Sequence, residues 1–242
     1  MTRFTIGLLA AALLAASAPA QDSAEVTIIK TAMEKSGTEA NLKMFPAGKS
    51  EMKGKMTIDG TELPFTGSMT YAVPGKVRMS LEVMVGGEKV TLEQVVNGTA
   101  AKQSENGKSV DIKPGAKDEM LQAALLQDVA LLYPLLNKDS KYKLSSVVGE
   151  PNAVKVEGNG LKEITLYFDK TSGRLAKMTR TGLNPSGKDV KEVTEYSDYK
   201  DFGGLFVPTA SKVKHDDKLF LDITVTDFKP LKTTDEKFDT GS

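Results

Sequence analysis

The sequence predicts a mostly-β α+β protein: one strongly curved antiparallel sheet with helices covering its apolar face. Three observations predict it. Most of the chain alternates apolar and polar residues with a period of two, as strands do when they bury one face. Short turn signals built from Asn, Asp, Gly and Pro separate these runs, the pattern of consecutive hairpins. Only two stretches switch to helical spacing. About eleven or twelve strands in succession curl rather than lie flat.

Taken in order, residues 1–20 read as an address, not as fold. Arg3 precedes the apolar run 4–16, and Ala18-Pro19-Ala20 has small residues where a signal peptidase cuts. The run is shorter than the ~20 apolar residues that span a bilayer. The expectation is a cleaved signal peptide, a single domain over 21–242, and a periplasmic or secreted protein. Cleavage removes Arg3, leaving 31 basic against 32 acidic residues, a net charge of −1.

Val26, Ile29, Ala32 and Met33 then recur at helical spacing, and Gly37 follows as a C-cap. Strands are expected at 51–59, 62–73, 76–85 and 88–96, joined at Asp59-Gly60, Pro74-Gly75 and Gly86-Gly87. Asn97-Gly98 reads as the next two-residue hairpin, which absorbs the Asn97-Gly98-Thr99 glycosylation sequon. Asn106-Gly107 closes a weaker, more polar hairpin. Residues 117–137 break the alternation. Their apolar residues cover more than half of a helical wheel, so this helix must be buried on most sides or lie against something greasy. Pro134 is expected to kink or end it near Leu132. Alternation returns at 141–149, 153–158, 163–169, 174–182, 189–199, 205–215 and 219–228. Gly203-Gly204 turns the chain sharply, and Pro208 predicts an edge or a bend in the strand that follows. The polar tail 233–242 is expected to fray.

Composition excludes several function classes. Lys+Arg and Asp+Glu are both 32, giving no electrostatic reason for nucleic acid as a partner. Cys and Trp are absent. The lone His215 stands beside Asp216-Asp217 and reads as an exposed turn residue, neither catalytic base nor metal ligand. The acid pairs Asp198/Asp201 and Asp222/Asp227 read as solvated strand faces. No phosphate-cradling glycine loop is present, so no cofactor and no metal is expected. The reading is therefore non-enzymatic. What stands out is a soft, methionine-rich apolar face with ten Met in the chain, suited to varied ligands or to an ordinary core. The candidate lining is Phe65, Met69, Met79, Leu81, Leu125, Leu132, Ile164, Leu166 and Phe168.

Three segments carry a resemblance: LYFDKTSGRLAKM (166–178), YSDYKDFGGLFVPTASKV (196–213) and LDITVTDFKPL (221–231). With the helical stretch before them, they resemble the LolA-like superfamily of outer-membrane lipoprotein carriers and sorting proteins. The resemblance covers roughly 117–231. It implies an eleven-stranded half-barrel with helices as a lid over a hydrophobic cavity, and a lipid or acylated protein as partner. It equally allows a half-barrel filled by its own helix that binds an envelope protein or senses envelope stress. A hydrolase would need His215 or a carboxylate cluster in a cleft.

Overall fold

The computed structural model describes residues 22–240; the expected signal peptide at 1–20 lies outside them. Two helices, α1 (Ala24–Ser36) and α2 (Glu39–Met44), precede six strands: β1 (Ala47–Ile58), β2 (Thr61–Ala72), β3 (Lys76–Val85), β4 (Glu88–Asn97), β5 (Ala100–Glu105) and β6 (Lys108–Val110). Helix α3 (Pro114–Ala130) and a 3-10 turn (Tyr133–Leu136) follow. The remaining strands are β7 (Tyr142–Val147), β8 (Glu150–Gly158), β9 (Leu161–Phe168), β10 (Leu175–Leu183), β11 (Asp189–Asp201), β12 (Phe206–His215) and β13 (Lys218–Leu231). All thirteen form one antiparallel, unclosed, curved sheet in the order β6-β5-β4-β3-β2-β1-β13-β12-β11-β10-β9-β8-β7. The count exceeds eleven because the polar runs flanking Asn106-Gly107 do pair, as β5 and β6.

Hairpin chemistry explains the register. Both central residues carry positive φ at Asp59-Gly60, Asn106-Gly107, Asn159-Gly160 and Asp216-Asp217, the geometry of tight hairpins that match strand twist. One turn differs from expectation. Asn97 pairs with Ala100, so the loop is Gly98-Thr99, with Gly98 at φ 62 in the first central position. At 201–204 the break is held by Phe202 N–H donating to Leu205 O at 2.8 Å and Gly204 N–H to the Asp201 carboxylate at 2.7 Å. The turn packs so tightly on the end of α1 that a Cβ on Gly37 would stand 2.4 Å from Gly204 O.

Pro208 is not on an edge strand, since β12 lies between β11 and β13. Its pairing with β13 begins only at Ala210, however, while Pro208 pairs with Tyr199 of β11 on the other side. The missing N–H is tolerated because β12 has already parted from β13 there. The tail does not fray over the described residues. Phe238 is buried, its carbonyl accepts from Asn97 Nδ2 at 3.2 Å, and Glu236 meets Arg78 at 3.1 Å.

The sheet curls around its helices. Helix α3 has 17 residues, about 26 Å of rise, and packs on β4 and β5 at one end of the strand order and on β9 and β10 at the other. Strands β4 and β10 are seven places apart in that order, about 34 Å if the sheet were flat. The helix therefore bridges two arms of a half-barrel from inside its mouth. Helix α1 packs on β7, β8 and β12. The main core joins Ile29 and Met33 of α1 and Leu131, Leu132 and Leu135 to Val154, Val156, Ile164, Leu166, Phe168 and Met178 on the strands.

Candidate ligand groove

Strand register places one continuous face toward the interior. On β2, Phe65, Gly67, Met69 and Tyr71 share it; across the pairings lie Val83, Leu81, Met79 and Val77 of β3. Met52 and Met56 of β1 and Leu221 and Ile223 of β13 continue it. Helices cover only part of this face. Tyr71, Met69 and Val77 pack into the main core with α1, α3 and the 3-10 turn. Phe65, Leu81 and Val83 form a second cluster with Met52, Met56, Leu63, Met79, Leu92, Leu221 and Ile223, and every member is on a strand. Among the described residues no helical side chain enters it. The three methionines are half-buried, so this end of the concave face is an apolar floor with deformable walls.

The nine predicted lining residues divide between these regions. Phe65, Met79 and Leu81 come together in the helix-free cluster. Leu132, Ile164, Leu166 and Phe168 are 1–6% exposed in the helix-covered core, and Met69 and Leu125 are half-buried against it. Those six are core while the helices are in place. The residues not singled out, Met52, Met56, Leu63, Val83, Leu92, Leu221 and Ile223, carry the same alternation as any core strand. What sets them apart is the missing helix above them, which periodicity does not encode.

An ionic cluster stands on the same interior face. Arg180 of β10 pairs in register with Glu192 of β11, and Glu192 with His215 of β12. Arg180 Nε donates to Glu192 Oε1 at 2.7 Å, and its Nη2 lies 2.7 Å from Glu119 Oε2 on α3. The guanidinium is only 9% exposed. Burial alone would lower its pKa, but Glu192 and then Glu119 hold it above its ordinary value. His215 is not the exposed turn residue expected. The turn is Asp216-Asp217, and the imidazole is 11% exposed, stacked on Phe220 at 4.2 Å with Nε2 3.2 Å from Glu192. Among the described residues no hydroxyl hydrogen-bonds this ring and no group of three or more acids and histidines is placed to hold a metal. The cluster fastens helix to sheet.

Two further contacts fasten α3 to both arms. Gln122 donates to Gly160 O and accepts from Lys162 N–H, both at 2.8 Å, on the β8–β9 turn. Asp128, 3% exposed, accepts from Gly75 N–H at 3.1 Å on the β2–β3 turn. Burial pushes the Asp128 carboxyl up to about 6, against the pull of that hydrogen bond. Among the described residues no helix is long and apolar enough to cross a membrane.

A curled, unclosed antiparallel sheet with a helix strapped across its mouth has counterparts among solved structures. A LolA superfamily protein from Nitrosomonas europaea aligns over 87% of this chain and 95% of its own, at TM-score 0.51 and 11% identity. The chain has the LolA-like fold. A DUF1329 family protein from Desulfovibrio piger aligns over 86% of this chain and 94% of its own, at TM-score 0.53 and 10% identity. No protein-family model and no curated protein matches the sequence.

Proposed function

We propose that this LolA-like chain is a non-enzymatic periplasmic binding protein that sequesters a lipid or the acyl chain of an acylated protein on its concave face. One observation carries the reading: the helix-free cluster around Phe65, Leu81 and Val83, floored by half-buried methionines, inside a half-barrel. Hydrocarbon placed there needs no partner polar group. Each buried methylene contributes about 0.8 kcal/mol, so ten carbons supply about 8 kcal/mol before ordering costs. Longer chains would need α3 to lift from Ile164, Leu166 and Phe168, and release follows when the helix returns.

A second reading has its own support. Those three residues are sealed beneath helices, as in a half-barrel that fills itself and binds an envelope protein through its surface.

Native mass spectrometry of the protein purified from a periplasm separates the two. A co-purifying lipid or acyl-protein is expected, lost on mild denaturation. Met79→Asp and Leu81→Asp are expected to abolish that adduct. Folded variants that keep it, or a wild-type protein that never takes up lipid when offered it, would leave the self-filled reading standing.

A further inference from the structure

A separate cleft runs along α3 itself. Turn residues Pro74-Gly75 and Gly98-Thr99 border it on one side and Asn159-Gly160 on the other, and its volume is about 460 Å³. Leu121, Ala124 and Leu125 form its floor. It shares Pro74, Asp128 and Asn159 with a second hollow of about 430 Å³, whose far wall is polar and includes Tyr142. Apolar and polar compartments thus meet at one buried carboxyl. Of the nine lining candidates on the concave face and its helices, only Leu125 borders this cleft.

The carboxyl at the junction is incompletely satisfied. Asp128 Oδ1 takes the Gly75 N–H, and among the described residues no donor reaches Oδ2. The Tyr142 hydroxyl is sealed from solvent, and the Asn159 side chain beside it does not complete a hydrogen bond of good geometry. Asp128 Oδ2 is not sealed in the way the Tyr142 hydroxyl is, so it is the oxygen that a molecule entering the cleft would meet. The other charged groups lining the two hollows, Asp118, Lys138, Asp139, Lys141 and Lys162, are exposed and solvated. The charge that a buried ligand head would meet is therefore Asp128.

We propose that this cleft binds a single-chain amphiphile with an ammonium head, the hydrocarbon lying on Leu121 and Leu125 and the ammonium donating to Asp128 Oδ2. A charge-assisted bond to a carboxylate is stronger than one between neutral groups. A carboxylate head of the same chain length would be repelled by Asp128, and an alcohol would gain only a neutral bond. The site therefore selects by head group, which the strand-face groove has no charged group in its apolar cluster to do.

Calorimetric titration of the full chain at pH 8 with dodecylamine, dodecanoate and dodecanol, each below its micelle concentration, tests this. The amine is expected to bind at least tenfold more tightly than the acid. Asp128→Asn keeps an acceptor for Gly75 and is expected to erase the preference. Equal affinity for the three probes, or an amine preference that survives in Asp128→Asn, overturns the proposal. Met79→Asp distinguishes it from the concave groove: the preference should persist there, and its loss would move the chain to the strand face and overturn the cleft.

Discussion

Asp128 is the residue at which folding and titration conflict most directly. Its folded pKa of about 6 stands above the ordinary 3.8 because burial disfavours the carboxylate. The folded state therefore holds its proton more tightly than the unfolded chain. The resulting stability is fully present below the unfolded pKa and is lost as pH rises through about 6, a loss on the order of 3 kcal/mol at 1.36 kcal/mol per unit. Asp128→Asn is expected to be more stable than wild type at pH 8 and to show a flatter dependence between pH 4 and 7, measured by urea unfolding. A variant less stable than wild type at pH 8 would show that the carboxylate is favoured where it sits. Leu132 marks another local tension. It has φ 60 and ψ −43, with Tyr133 N–H donating to Leu131 O at 2.6 Å, a tight three-residue turn that is strained for a side chain. The strain is held because Leu132 is 2% exposed in the main core. Pro134 announces a stop near this point; the reversal of φ two residues after the helix is not legible, since no glycine flags it.

At the level of elements, α3 is a strap with apolar contacts on one side and polar fastenings at Glu119, Gln122 and Asp128. Its existence and its end were readable from the apolar wheel and Pro134. The fastenings were not, because Gln122 and Asp128 look like ordinary solvated helix positions until the sheet arms close on them. Arg180 ties Glu119 of α3 to Glu192 of β11. Removing it leaves Glu119 and Glu192 facing one another in a poorly hydrated site, so Arg180→Ala is expected to cost about 3–5 kcal/mol. Replacing Arg180 with Met together with Glu119 and Glu192 by Gln should recover most of that loss, because the uncompensated charges go as well. Denaturant midpoints and hydrogen exchange across α3 measure both. An Arg180→Ala protein of wild-type stability would mean that water already screens the cluster.

For the whole molecule, the alternating runs and turn residues gave the strand sequence almost intact, since hairpin neighbours follow from local chemistry. Three things lay beyond them. The chain-distant pairing of β1 with β13 has no local signal, because both strands alternate like all the others. The concave face is divided into covered and open parts by helix placement alone, so three of nine lining candidates fell in the open part. The anchoring of the tail is not legible because one phenylalanine among polar residues is a weak cue. Phe238 and the Glu236–Arg78 contact tie it across β3 and β4, so deleting 233–242 is expected to cost about 2–4 kcal/mol, most of it from the aromatic ring. A urea midpoint that falls while the far-ultraviolet spectrum stays unchanged would show this; an unmoved midpoint would mean the tail is only draped there.

The β1–β13 seam sets how the protein can come into being. Each arm is a meander of neighbours that can zip locally, β1 to β6 on one side and β7 to β13 on the other. The seam joins Ala47 to Leu231 and Met56 to Leu221, pairs separated by most of the chain. Closing so large a loop costs entropy before any contact rewards it, and topologies rich in such contacts fold slowly. The two arms therefore have a natural order of assembly: separate ribbons first, then the seam, then the strap that α3 throws between them. A chain emerging from its N-terminus cannot finish its sheet until the last strand arrives. Until then it carries β1 as a bare edge, open to pairing with any neighbouring chain.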